Sequence, residues 1–473
     1  MNTPSEEKKI SFSSALGVMF FLIAAISIQV FVLDSPVTTQ ITLILVTSVA
    51  AVVAMAHGFS WDELQKGILY GCHLAMLPML ILMLVGVLIA SWVASGTIPA
   101  MIYYGMQILI PEYFLFSACL ICCIGSLSTG SSWTTAATFG VGFMGIGIGL
   151  DVSPPITAGA VISGAIFGDK MSPLSDSTNL TAGVAEADLF DHIKSMLYST
   201  GPAIVLTLMV FFFIGLTTEP GAEVDDSKIA LISNGIKDNY SLNILTLLPP
   251  LLVIILAMKK VGGLAVMMIA SIAGALLAIF IQGDSLSNML EFMNYGYKSE
   301  VGIAEVDKLL SGGGLQNMMW TISLGFVALA MGGLFEKIGL LAAILERMQK
   351  LVSSVRGLVT THVISSILIN VFSASQFMAI IIPGRMFVPM YRKMKLLPQV
   401  CSRVCEDSAT VTSPLVPWGL GGVYFASVLN VPTLEYLPYT FLAFFAPLMT
   451  ILLAYTNKFM FKEGDIESVK TYH

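Results

Sequence analysis

Charge is what this chain has least of. Asp, Glu, Lys and Arg together make up 11% of its 473 residues, and no basic tract is long enough to hold a phosphate backbone, which excludes nucleic acid as a partner. Cysteine is sparse too, at positions 72, 119, 122, 123, 401 and 405. The first four lie in apolar sequence, where a thiol behaves as a small hydrophobe. Cys119-x-x-Cys122 has no histidine nearby to make it a metal or redox site. The glycines at 140–149 lack the Lys-Ser/Thr of a phosphate loop. Without a nucleophile–base arrangement or a metal-ligand cluster, the sequence does not read as an enzyme.

What is present is apolar. Hydrophobic residues make up 56% of the chain and its mean hydropathy is +0.85, a balance that only lipid accommodates. Runs close to the roughly 20 residues that cross a bilayer recur at 12–33, 41–56 and 69–94. That recurrence, and the want of a small-residue cleavage site before Asp34, make the first run a retained span behind a short tail, 1–11. Lys8, Lys9 and Lys66 mark one side of the membrane, and 95–112 has neither lysine nor arginine, so the amino terminus is expected in the cytoplasm. Acidic 219–243 and polar 282–314 then fall outside, and Lys259-Lys260 turns the chain inside. Over 336–356 the leucine spacing predicts an amphipathic helix along the cytoplasmic interface.

Arg356 and the basic set Arg385, Arg392, Lys393, Lys395 and Arg403 both belong inside, although an apolar run separates them. A re-entrant hairpin resolves this, its tip at the break Asn370-Val-Phe-Ser-Ala-Ser-Gln376. The first half has a counterpart at Gly125-Ser-Leu-Ser-Thr-Gly-Ser-Ser-Trp-Thr-Thr135. Each hairpin is followed by a polar interruption: Gly168-Asp-Lys-Met-Ser-Pro-Leu-Ser-Asp-Ser-Thr-Asn-Leu180, and Glu406-Asp-Ser-Ala-Thr-Val-Thr-Ser-Pro-Leu-Val-Pro-Trp418. The expected fold is an all-α polytopic membrane protein, an inverted structural repeat with two re-entrant hairpins and discontinuous helices, about 10 full spans and both termini cytoplasmic. Its expected parts are a tail and two spans (1–68), a first repeat (69–216), linking helices and external loops (217–314), a second repeat (315–457) and a cytoplasmic tail (458–473). Twelve ordinary spans joined by polar loops is the plainer alternative.

A carboxylate within a bilayer is costly and asks for a role. Asp169, Asp176, Glu406 and Asp407 are the acids of these interruptions, and Ser172, Ser175, Ser177, Thr178 and Asn179 set neutral oxygens beside the first pair. Such hard donors suit Na+. Asp176 leads the expectation of direct cation or proton binding, against helix capping as the bland reading. Asp169 is weighed against a mouth ion pair with Lys170, and Glu406 and Asp407 against a surface cluster with Arg403. One carboxylate that takes either a cation or a proton would couple the two. At the hairpin tips Ser128, Ser131, Ser132, Thr134, Asn370, Ser375 and Gln376 offer polar groups, although small-residue helix packing has the same look. His73 and His362 read more readily as packing residues than as proton relays.

The two interruptions, with Gly130-Ser-Ser-Trp-Thr134 and Ile381-Ile-Pro-Gly-Arg-Met-Phe387, closely resemble the NhaC family of bacterial sodium/proton antiporters over nearly the whole chain. The resemblance implies a fold of hairpins and discontinuous helices in the bacterial inner membrane, exporting Na+ or Li+ against proton entry. It implies no cofactor, Na+ and H+ as cargo, Na+ bound in the region of Asp176, and lipid as partner, with a homodimer as the assembly to test. The family motifs match Asp169, Ser172, Asp176, Thr178 and Asn179, and Glu406, Asp407, Ser408 and Thr410. Some members exchange malate and protons for lactate and sodium, which is the alternative function. A channel with the same polar tips is a different class, separable by flux without proton coupling.

Overall fold

The computed structural model describes residues 8–33, 39–217 and 226–462. Parts of the expected amino-terminal tail, the acidic segment 219–243 and the carboxyl tail lie outside the described residues. Among those described there is no sheet, only the isolated bridges Tyr297–Gly312 and Leu396–Lys462. Eight helices are long and apolar enough to cross a membrane, and ten if each of two bent pairs counts as one span.

The first two spans are Phe12–Phe31, capped by Ser11, and Thr39–Ala56. The third is Trp61–Ala94, which starts eight residues before the expected 69. Its start is fixed by a capping box in which Ser60 accepts from the Glu63 amide and the Glu63 carboxylate accepts from Ser60. At 1.5 Å per residue its 34 residues reach about 50 Å, longer than the hydrocarbon layer.

The helix Met319–Lys337 packs along this third span in the opposite direction. Going up one helix and down the other, Gly67 meets Lys337, Gly71 meets Leu329, and Gly86 meets Gly314 and Met318. The backbones approach so closely that a Cβ on Gly71 would sit 2.0 Å from the Leu329 carbonyl oxygen. Each of these helices opens one half of the molecule, so the halves run antiparallel, as an inverted repeat requires.

The hairpins carry the same signature. The outgoing arms Pro111–Thr129 and Val355–Ser373 are both 19 residues long. Each ends in a left-handed residue, Gly130 (φ 68°) or Ala374 (φ 57°), followed by an extended serine. Ser131 and Ser375 then cap the return arms by accepting from the amides of Thr134 and Met378. The first return arm contains a π-helical turn, Ala136–Gly140; the second runs Gln376–Lys393.

Each hairpin docks on a broken helix. In the first half, Pro154–Met171 stops at 172–175 and resumes as Asp176–Ala185. Gly130 lies against Leu174 of that break, where a Cβ would meet backbone at 2.9 Å. In the second half, Pro398–Cys405 passes into a π-helical turn, Glu406–Thr410, and restarts at Leu420–Leu429. There the Ala374 carbonyl accepts from the Leu420 amide (2.9 Å), and Asn370 Nδ2 donates to the Ala409 carbonyl (2.6 Å).

The expected interfacial helix is shorter than 336–356. Only Leu340–Gln349 forms it, with Leu340, Leu341, Ile344 and Leu345 buried. Ser354 caps the next helix, which takes Arg356 into the second hairpin.

Candidate functional site

The two broken helices cross where each loses its regular backbone, and their acids meet there. Lys170, at the end of Pro154–Met171, is fully buried and donates to Asp407 of the opposite half. Asp407 also accepts from Thr200 Oγ1 (3.0 Å) and from the Thr450 hydroxyl. The pair and its two threonines tie four helical segments together, and neither charge is left uncompensated. It sets aside two alternative readings of the sequence: Lys170 pairs with Asp407 and not with Asp169, and Glu406 and Asp407 are not a surface cluster, since both are fully buried. The partners lie 237 residues apart, so neighbouring sequence carried no sign of the pairing.

Two other carboxylates have hydroxyls and no cation. Half-buried Asp169 accepts from Ser132 Oγ (2.6 Å) at one oxygen and from Ser175 Oγ (2.5 Å) at the other. Glu406 accepts from Ser177 Oγ (2.9 Å) and from the Thr181 hydroxyl. Among the described residues neither acid makes an ion pair. Ser132 sits one residue past the cap of the first hairpin, so the tip points straight at Asp169.

The remaining expected residues divide by task. Asp176 is exposed in the first turn of Asp176–Ala185, and the structure does not bring it into the buried cluster. Asn179 Nδ2 donates to the carbonyls of Pro173 (2.9 Å) and Ser175 (2.7 Å), and Thr178 to that of Lys170 (2.9 Å), while Ser172 Oγ accepts from the Leu174 amide (3.3 Å). These three satisfy backbone groups that the break would orphan. Ser408 turns back to the Val404 carbonyl (2.6 Å), and Thr410 is buried in the same turn. At the tips, Ser131 and Ser375 cap, Thr134 leans on Ser131 (3.2 Å), Ser128 is bonded to its own helix, and Ser128 and Gln376 are half-buried.

Sequence reasoning missed Thr181, which lies four residues after Ser177 on the same helix face, a legible spacing. Thr200 and Thr450 gave no signal within apolar spans. It also missed a close group of three, His362, Cys401 and Cys405, whose ligand atoms lie within 4.8 Å of one another. His362 stacks on Phe387 and bonds to Tyr391 (3.1 Å), which makes it the packing histidine expected; His73 is exposed. All six cysteines are free.

The halves also lock directly. Trp133 of the first hairpin stacks on Tyr424 of the second broken helix at 4.1 Å, and the Tyr424 hydroxyl donates to the Trp133 carbonyl. Antiparallel halves, paired hairpins and polar breaks meeting in an apolar body define a secondary active transporter.

The sequence comparisons specify which. The model of the Na+/H+ antiporter family matches residues 8–178 and 164–458, and the chain belongs to that family. It is 39% identical to the Na+/H+ antiporter NhaC of Alkalihalophilus pseudofirmus over 97% of this chain and 99% of the relative. It is 36% identical to the arginine/ornithine antiporter ArcD of Halobacterium salinarum, covering 98% and 95%, and 34% identical to the malate-2H+/Na+-lactate antiporter of Bacillus subtilis, covering 96% of each. The protein is a multi-pass bacterial membrane transporter of the NhaC type that exchanges Na+ for H+, and not an enzyme.

Proposed function

We propose that Asp169 is the carboxylate for which Na+ and H+ compete, with Ser132 and Ser175 as the neutral oxygens around it. The observation that carries this is the contrast between the two aspartates of the cluster. Asp407 spends its charge on Lys170, whereas Asp169 is half-buried at the meeting of hairpin tip and helix break, held by Ser132 and Ser175 with no ion pair among the described residues. Those hydroxyls donate to the carboxylate now; rotated, they present lone pairs to a cation. A sodium ion seated there would neutralise Asp169 as a proton does, so the two exclude each other and their gradients are coupled. Both termini in the cytoplasm, the repeat boundaries of the sequence reading and a homodimeric assembly belong to the same proposal. The test is equilibrium binding of radioactive Na+ to purified protein across pH. Wild type should lose Na+ as pH falls, Asp176→Asn should behave likewise, and Asp169→Asn should not bind. Binding by Asp169→Asn equal to wild type overturns the assignment.

One observation favours an organic anion as co-substrate. Fully buried Arg403 has no partner at Nε, and buried His192 Nε2 and Ser195 Oγ nearby are also unpartnered. Three donors of that kind suit a carboxylate, as in the malate and lactate exchanged by the Bacillus subtilis relative. Purified protein in liposomes decides: a Na+-driven pH change with no organic anion present supports simple exchange, and a strict need for malate and lactate on opposite sides supports the alternative.

A further inference from the structure

Asp169 and Glu406 are joined by a continuous line of side-chain oxygens. From Asp169 Oδ1 it is 2.5 Å to Ser175 Oγ, 3.1 Å on to Ser177 Oγ, and 2.9 Å on to Glu406 Oε1. Ser175 and Ser177 stand at the restart of the first broken helix, and both are buried. The outer oxygens of the two acids are closed off by Ser132 and Thr181.

The line has three links and two hydroxyl hydrogens, and a hydroxyl donates only once. With both acids ionised, each serine points outward to its own carboxylate, and the serine oxygens face each other at 3.1 Å with no hydrogen between them. One added proton supplies the missing hydrogen. We propose that Asp169 and Glu406 share a single proton through Ser175 and Ser177, so that the proton Na+ displaces from the aspartate leaves by way of the buried glutamate. This rests on the reading of Asp169 as the cation site.

The transfer balances without any co-reactant. Starting from protonated Asp169, its O–H breaks as a new O–H forms on Ser175; the former Ser175 hydrogen passes to Ser177, and the former Ser177 hydrogen to Glu406. Three O–H bonds break, three form, and one negative charge moves from Glu406 to Asp169. No hydroxyl has to rotate, because the line then runs complete in the opposite direction. A Na+ arriving at Asp169 drives this step by attracting the charge. The ionisable groups around the line are Lys170, Asp407 and Arg403 on the Glu406 side, with His192 beside Lys170 and Asp407, His362 against Cys405, and Asp176 near Asp169.

The test uses the full-length protein in liposomes. Ser177→Ala should lower maximal exchange by roughly tenfold or more, the scale of a lost proton-transfer group, while the Na+ concentration for half-maximal rate stays within about twofold; Ser177→Thr, which keeps the hydroxyl, should restore the rate. Wild-type exchange by Ser177→Ala overturns the shared proton but leaves the Asp169 site standing, whereas wild-type exchange by Asp169→Asn removes the site itself. Loss of Na+ binding in Ser177→Ala, or no rescue by Thr, assigns Ser177 a structural role and also overturns the proposal. Should the alanine variant fail to insert, difference infrared spectra of the wild type between high and low pH decide. A single carboxyl band abolished by either Asp169→Asn or Glu406→Gln is expected, and two bands that titrate separately refute the line.

Discussion

Replacing Lys170 with methionine isolates what the buried ion pair contributes. Lysine and aspartate are both inaccessible to solvent, so the substitution strands the Asp407 charge in the protein interior with only Thr200 and Thr450 to solvate it. Removing one partner of a buried pair typically costs about 3–5 kcal/mol, and the two surviving hydroxyl bonds place Lys170→Met toward the lower end of that range. Since about 1.4 kcal/mol is tenfold, the unfolded population rises by roughly a hundred- to a few-thousand-fold. Lys170→Met/Asp407→Asn removes both charges, lets Thr200 and Thr450 donate to the amide oxygen, and should recover most of the loss, to within about 1–2 kcal/mol of wild type. The assay is denaturant unfolding of the detergent-solubilised protein through the complete double-mutant cycle. If the two single losses simply add in the double variant, the pair is not holding the halves together and the reasoning is wrong.

Further outcomes follow from close contacts and from the loop around Asp307. Gly71→Ala should destabilise by at least about 1–3 kcal/mol, because the new methyl meets the Leu329 backbone and the two opening helices must part; Gly17→Ala, which meets nothing, should be neutral or stabilising by up to about 1 kcal/mol in the same denaturant assay. At the second hairpin tip Ala374→Gly relieves a left-handed alanine and should stabilise by about 1 kcal/mol, whereas Gly130→Ala at the first tip should lower yield and exchange. Outside the membrane, the Ser299 hydroxyl and the amides of Val301 and Gly302 hold the Asp307 carboxyl below the usual carboxylate range. A depressed folded value means that its contribution is complete above the unfolded carboxylate pKa of about 3.9 and is lost as pH falls through the folded one. Protection of the Val301 and Gly302 amides, measured against their intrinsic exchange rate at each pH, should therefore fall in acid, and Asp307→Asn should show that lower protection already at neutral pH.

Much of this architecture was legible because the bilayer punishes polarity. Gly125–Thr135 and Asn370–Gln376 stood out as polar breaks in apolar sequence, and both prove to be hairpin tips. The two interruptions likewise prove to be helix breaks. Direction was harder to read. Asp176 and Asp169 lie seven positions apart in one polar segment, and which of them turns inward is decided by Ser132 from another hairpin. Lys170 looked like a neighbour of Asp169 in sequence, but its helix carries it across the molecule to Asp407. The early start of the third span was readable, since Ser60-Trp-Asp-Glu63 is a capping box, although Lys66 had suggested a connection there.

The most direct measurement is the luminal pH of liposomes containing purified protein after Na+ is added outside, with no organic anion on either side. Wild type and Asp176→Asn should move protons against the entering sodium, and Asp169→Asn, reconstituted to the same density, should produce no pH change. Proton movement by Asp169→Asn at the wild-type rate would contradict the account at its centre.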